Sequence, residues 1–203
     1  MKKWEKLASE ESIQKVVTTL NSVGIEVFVA KSIEEAKKKV LEIVPVGAEV
    51  MTMASETLTE MGLDKEFNES GRFNSVKARL MKMDRATEGR EMQKLGASPE
   101  WAIGSVHAVS EDGHVFIASA TGSQLGAYAF AAAHVIWVVG TQKIVKNWDE
   151  GIRRIYEYSL PHEDKKMKEK GFPGSAVRKL LIVNGENVPQ RIKMILVNKK
   201  VGV

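Results

Sequence analysis

Ile25-Glu26-Val27-Phe28-Val29, Ser32-Ile33-Glu34-Glu35 and Ala48-Glu49-Val50-Met51-Thr52-Met53 follow one another within thirty residues, and together they decide the fold. The first run is β-branched and nearly alternating, which predicts a strand. The second is a capping box, Ser followed three positions later by Glu, and it opens a helix. That helix sets Ile33, Ala36, Val40, Leu41 and Val44 on one face. Pro45-Val46-Gly47 breaks it, and Ala48–Met53 reads as a second strand. Ser55 then caps a short helix running to Met61. Upstream, Ser9–Val23 carries Ile13, Val16, Val17 and Leu20 at helical spacing, and Gly24 stops it. Strand and helix in strict alternation predict a mostly parallel sheet flanked by helices, hence an α/β fold.

The pattern continues outward from this unit. Asp64–Gly96 is charged and reads as two helical pieces divided near Gly71–Asn74, with Gly89 weakening the second. Trp101–Val109 and His114–Ala120 are apolar, and Ser110-Glu111-Asp112-Gly113 between them makes a turn, so a β-hairpin is expected near residues 101–120. Gln124–Ala133 reads as a helix and His134–Val139 as a strand buried on both faces. Asn147–Tyr158 is helical, Pro161–Gly174 an exposed helix and loop, and Lys179–Val183 and Arg191–Val197 are closing strands. Trp137 and Phe116 are expected in the core, and Trp101 and Trp148 at surfaces. Residues 1–203 are expected to form one domain.

Composition narrows the function. The chain has no cysteine, which excludes a disulfide framework, a thiolate nucleophile and a thiolate-held zinc or iron–sulfur centre within it. It suits a cytoplasmic setting. No run approaches the ~20 apolar residues of a membrane span. The net charge is +4, but basic and acidic residues interleave, which describes a mixed solvated surface and not a nucleic-acid face. The four histidines show no metal-site spacing, so no metal is expected, and no cofactor is specified.

Two stretches carry candidate chemistry. Ser110, Glu111 and Gly113 at the hairpin tip precede Thr121-Gly122-Ser123-Gln124, a small-residue loop between a strand and a helix. Backbone N–H groups and hydroxyls in such a loop favour an anion. Ser55 and Thr57 form a second hydroxyl-rich junction at the same edge of the sheet, where they bind an anion or only cap the helix. Lys143, just past the strand ending at Gly140, either neutralises an anion or lies in solvent, as lysines ordinarily do. Arg72, Lys77 and Arg79 are further cations whose direction the pattern leaves open. A carboxylate in a tight turn, Glu111, can serve as nucleophile or general base, or simply be a polar tip.

Ile103–Gly113, Ala118–Leu125 and Val135–Gly140, with Ser55-Glu56-Thr57 and Met61-Gly62 upstream, resemble the lactate-utilization (LUD) domain family. The resemblance implies the fold of glucosamine-6-phosphate isomerase, ribose-5-phosphate isomerase and the CoA transferases, with ligands on the loops after the strands. It matches Glu111 and Gly113 to the family's Glu-x-Gly hairpin. It also implies work beside iron–sulfur partner proteins in lactate oxidation. Gly104-Ser105 and Ala118–Ser123 depart from the family's usual Thr-Gly and longer Gly-rich run, so the lactate role transfers less directly. Ser110-Glu111-Asp112-Gly113 is also similar to the segment around the glutamate nucleophile of CoA transferases. Three functions follow: a protein binding a small anionic metabolite as an accessory subunit, an enzyme acting on a sugar phosphate or acyl-CoA through Glu111, or a structural or homo-oligomerisation module with a vestigial site.

Overall fold

The computed structural model describes residues 2–203. Six strands form one parallel sheet: β1 (Glu26–Ala30), β2 (Glu49–Thr52), β3 (Asn74–Ser75), β4 (Trp101–Gly104), β7 (His134–Gly140) and β10 (Ile192–Val197), ordered β1-β10-β7-β4-β2-β3. Four more, β5 (Ala108–Ser110), β6 (Val115–Ser119), β8 (Ile144–Val145) and β9 (Lys179–Val183), form a second sheet ordered β8-β5-β6-β9. In that sheet β6 runs antiparallel to both β5 and β9.

The period-2 geometry of a strand divides the core cleanly. Along β7, Val135, Trp137 and Val139 enter one apolar cluster, shared with Ile13, Val16 and Leu20 of helix α1 (Glu10–Ser22) and with Val109, Val115 and Ile117 of the second sheet. Ile136 and Val138 point the other way, to Ala36 and Val40 of α2 (Ile33–Ile43) and to Leu58, Leu63 and Phe67 of α3 (Glu56–Glu60) and α4 (Leu63–Glu69). The second sheet covers the first on one side. Its outer face packs Phe116, Ala118 and Val145 against Ile155 and Tyr158 of the chain following α7 (Trp148–Arg154).

Caps fix where the helices begin. Ser9, Ser32, Ser55 and Asn147 each accept a backbone N–H in the first turn, a contact typically worth ~1 kcal/mol. The Glu35 carboxylate reaches back to the Lys31 N–H at 2.8 Å, one residue before the position a capping box uses. Gly24 ends α1 with φ +85°, the left-handed conformation expected of it.

Three expectations need correction. The apolar stretch from Trp101 is not one hairpin arm: β4 belongs to the parallel sheet, the chain leaves it at Ser105–His107, and only Ala108–Ser110 pairs with β6. Both pieces are buried on both faces, so their hydrophobicity could not separate them. Residues 64–96 contain α4, the two-residue strand β3, then α5 (Val76–Leu80) and α6 (Arg85–Ala97), not two helical pieces. Trp101 is buried, stacked on His134 with ring centroids 4.2 Å apart. The helix expected at Gln124–Ala133 is wound mainly as one π turn, Ala127–Ala131, and a second π turn, Ile155–Ser159, joins α7 to α8 (Leu160–Glu169). Among the described residues no helix is long and apolar enough to cross a membrane.

Candidate functional site

Three adjacent strands of the parallel sheet, β2, β4 and β7, end side by side, and the segments that follow them meet at a cleft of about 660 Å³. This is the edge where open α/β sheets bind ligands, and the volume lies in the range of small-molecule sites. The segment after β2 contributes Ser55 and Thr57, that after β4 contributes Ser105 and His107, and that after β7 contributes Lys143. The loop after β6 adds Thr121, Ser123 and Gln124, and α8 adds Lys166.

Lys143 is the centre of this arrangement. It is 3% exposed, on a 3-10 turn (Thr141–Lys143) that drops the chain back under the sheet edge. Its Nζ donates to Thr57 Oγ1 (3.1 Å), Ser105 Oγ (3.1 Å) and the Val106 carbonyl (3.2 Å). All three are neutral oxygens, and among the described residues no carboxylate lies within ion-pair distance of it. Burial, followed by the Arg154 charge, pulls Lys143 from 10.5 to about 7, while Glu56 and Glu60 oppose the shift from farther off. Lys143 is therefore the reverse of the solvent lysine that its residue type suggests.

Two other cleft side chains are constrained. His107 accepts the Ala118 N–H at Nδ1 (3.1 Å), and burial, with Lys143 and Arg154 nearby, lowers it to about 3. The neutral ring accordingly carries its proton on Nε2. The Tyr128 hydroxyl is buried without a partner on the cleft wall, and burial raises its pKa. It stands where only glycine leaves room: a Cβ on Gly104 would lie 1.8 Å from it. Behind the cleft, buried Arg154 donates to the His107 carbonyl and Ser159 Oγ, and burial takes it down to about 10.

The expected site residues divide in two. Ser55, Thr57, Thr121, Ser123, Gln124 and Lys143 line the cleft, as does Lys77. Ser55 also caps α3, and Thr57 additionally bonds the Val201 carbonyl at 3.3 Å. Gly122 adopts φ +86° and shapes the loop from outside the lining, its N–H held by Ser119 Oγ at 2.8 Å. Ser110, Glu111 and Gly113 stand apart. Ser110 Oγ accepts the His114 N–H (3.0 Å) and closes the turn, and Gly113 supplies φ +93° against Thr19. The Glu111 carboxylate is 10% exposed and pairs with Lys146 (2.9 Å) and Lys15 (3.7 Å). Burial alone would raise its pKa, but hydrogen bonds from Ser12 and Lys146 and the neighbouring lysine charges carry it below the usual value. These contacts tie the hairpin tip to α1 and β8 and leave the carboxylate engaged. Arg72 and Arg79 are paired with Glu66 and Glu49 and do not reach the cleft.

Ser105, His107 and Tyr128 were missing from the sequence reading of the site. The apolar run Trp101–Val109 places Ser105 and His107 inside one strand, whereas they form the loop at which the chain changes sheets.

The hydroxyls and the buried lysine gather on the segments after the parallel strands, the edge at which open α/β sheets commonly hold their ligands. The chain belongs to the LUD domain family, whose model matches residues 13–199. A crystal structure of a DUF162 family protein from Deinococcus radiodurans is similar over 95% of this chain and 100% of that one, with TM-score 0.55 and 12% identity. At that identity the likeness bears on the fold. No curated protein matches the chain.

Proposed function

We propose that this LUD protein binds a small anionic metabolite in the cleft at Lys143, as an accessory subunit in the oxidation of lactate or a related organic acid. One observation carries the reading. Lys143 places its amine in a buried cleft with only neutral oxygens in hydrogen-bond contact, and Glu56 and Glu60 on the lining do not pair with it, so an arriving anion supplies the direct countercharge that it lacks. A desolvated charge gains far more from a partner than an exposed one does. The hydroxyls of Ser55, Thr121 and Ser123 on the cleft lining offer further hydrogen bonds to carboxylate or phosphate oxygens. The sequence holds no cysteine, so in such an assembly the iron–sulfur centres would reside in partner proteins.

Isothermal titration of lactate, pyruvate and inorganic phosphate into wild type, Lys143→Met and Glu111→Gln tests the proposal. It requires binding by wild type and Glu111→Gln and at least ~10-fold weaker binding by Lys143→Met, ~1.4 kcal/mol for one lost charge contact. Binding lost in Glu111→Gln and kept in Lys143→Met would move the site to the hairpin.

A further inference from the structure

Lys143 has a second property that anion binding does not use: burial lowers its pKa to about 7, which favours the free amine, and the residue lines the cleft. We propose that Lys143 is a nucleophile that forms a covalent imine with the carbonyl group of an anionic metabolite, a 2-oxo acid such as pyruvate. The proposal rests on the anion-binding reading of the same cleft and names its ligand class.

The geometry provides what imine formation needs. The amine is fixed by Thr57, Ser105 and the Val106 carbonyl instead of swinging on a flexible stem. Either hydroxyl can turn its proton toward Nζ or away from it, so the lone pair is not locked in a permanent bond. No carboxylate pairs with Nζ to hold it protonated, and the charged groups that act on it are Arg154, which disfavours the ammonium, and the more distant Glu56 and Glu60, which favour it. A desolvated lysine beside another cation is the usual way a protein makes an amine nucleophilic. Two proton donors share the cleft, neutral His107 through Nε2 and the unpartnered Tyr128 hydroxyl. Lys77 lines the same cleft and adds positive charge for a carboxylate, whereas Lys166 is already paired with Glu56 and Glu163.

The step balances without any redox partner. The Nζ lone pair forms a bond to the carbonyl carbon, and the C=O π pair moves to oxygen, which takes a proton. Over the whole step that oxygen gains two protons, balanced by the two that the neutral amine loses, and it leaves as water while C=N forms. Protonated Lys143 holds an anion, and unprotonated Lys143 attacks the carbonyl.

The test is reductive trapping on the full chain. Wild type is incubated at pH 7 with pyruvate and sodium cyanoborohydride, digested and mapped by mass spectrometry. At this pH the free-amine fraction of Lys143 exceeds that of an ordinary lysine by about 10³-fold. The expected result is a reduced adduct confined to the Lys143 peptide, saturating with pyruvate, suppressed by lactate and absent from Lys143→Arg. Lactate carries the same carboxylate without a carbonyl. Peptide mapping and lactate competition are both read on wild type, so the outcome stands even if the variant fails to fold. Pyruvate binding by calorimetry with adducts only on exposed lysines, or with none, overturns the imine and leaves the anion site standing. An adduct at Lys143 that lactate cannot suppress retains the imine and overturns the anion site. Neither binding nor adduct overturns both.

Discussion

Replacing Lys143 with Met removes a group whose folded and unfolded states differ by one bound proton over a wide pH range. The side chain is held at about 7 in the fold against 10.5 in an ordinary setting, and it is 3% exposed, so solvent screening does not discount the difference. The folded pKa is depressed for a cation, so the unfolded chain binds the extra proton between those two values. Stability then rises with pH across that window, at up to ~1.4 kcal/mol per pH unit. At pH 7 wild type carries a penalty of about 4 kcal/mol from this residue, and by pH 10 less than ~1 kcal/mol remains. Met fills a similar volume and carries no such penalty. It strands the oxygens of Thr57, Ser105 and Val106, at ~1–3 kcal/mol, a cost nearly independent of pH. Urea unfolding of both proteins at pH 7 and pH 10 isolates the effect, because every other titrating group cancels in the difference. Wild type should gain ~3 kcal/mol on Lys143→Met between the two pH values. A difference constant to within ~0.5 kcal/mol would show that Lys143 titrates normally and would refute the reasoning from its burial.

Other outcomes follow from the same structure. Lactate affinity should fall as pH rises from 6 to 9, by as much as ~100-fold, because the bound anion requires the ammonium and the free site loses its proton near 7; titration calorimetry across that range checks it. Gly104→Ala should destabilise by ~2 kcal/mol or more, since its Cβ would lie 1.8 Å from the Tyr128 hydroxyl, and Tyr128→Phe should recover part of that loss in thermal denaturation of the double variant. Tyr128→Phe alone should be neutral or slightly stabilising, because it deletes a buried hydroxyl that has no partner. Glu111→Gln should cost ~1 kcal/mol of stability through its pairs with Lys146 and Lys15 and leave ligand affinity unchanged. The folded pKa of Glu111 is lowered, so its stabilisation is full above the ordinary carboxylate value and is lost as pH falls below it.

Where local physics decides, the sequence was readable. Ser32 and Ser55 announce their helices because a cap is a contact within one turn, and Ile25–Val29 announces a strand through its β-branched residues, with Val27 and Phe28 packing on opposite faces of the sheet. His134–Val139 reads as buried because both of its faces meet core. The division between β4 and β5 was invisible for the same reason, since continuous burial erases the period that would mark a change of sheet. The cleft was half legible: Ser55 and Thr57 at a helix start and Thr121 in a loop sit in hydroxyl-rich stretches whose composition advertises them. The burial of Lys143 depends on three strand ends meeting, and no neighbouring residue records that. The one available signal was its place just after the buried strand that ends at Gly140, the edge where ligands bind. Glu111 shows the converse: its motif is conspicuous in the chain, yet tertiary contacts with Lys15 and Lys146 occupy its carboxylate away from the cleft.

The most direct test of the account is the titration of the Lys143 amine itself, followed by NMR in protein carrying ¹⁵N-labelled lysine and assigned with Lys143→Arg, with and without lactate. The account predicts a midpoint near 7 in the free protein that moves upward when lactate binds. A midpoint near 10.5 that lactate leaves unmoved would contradict it.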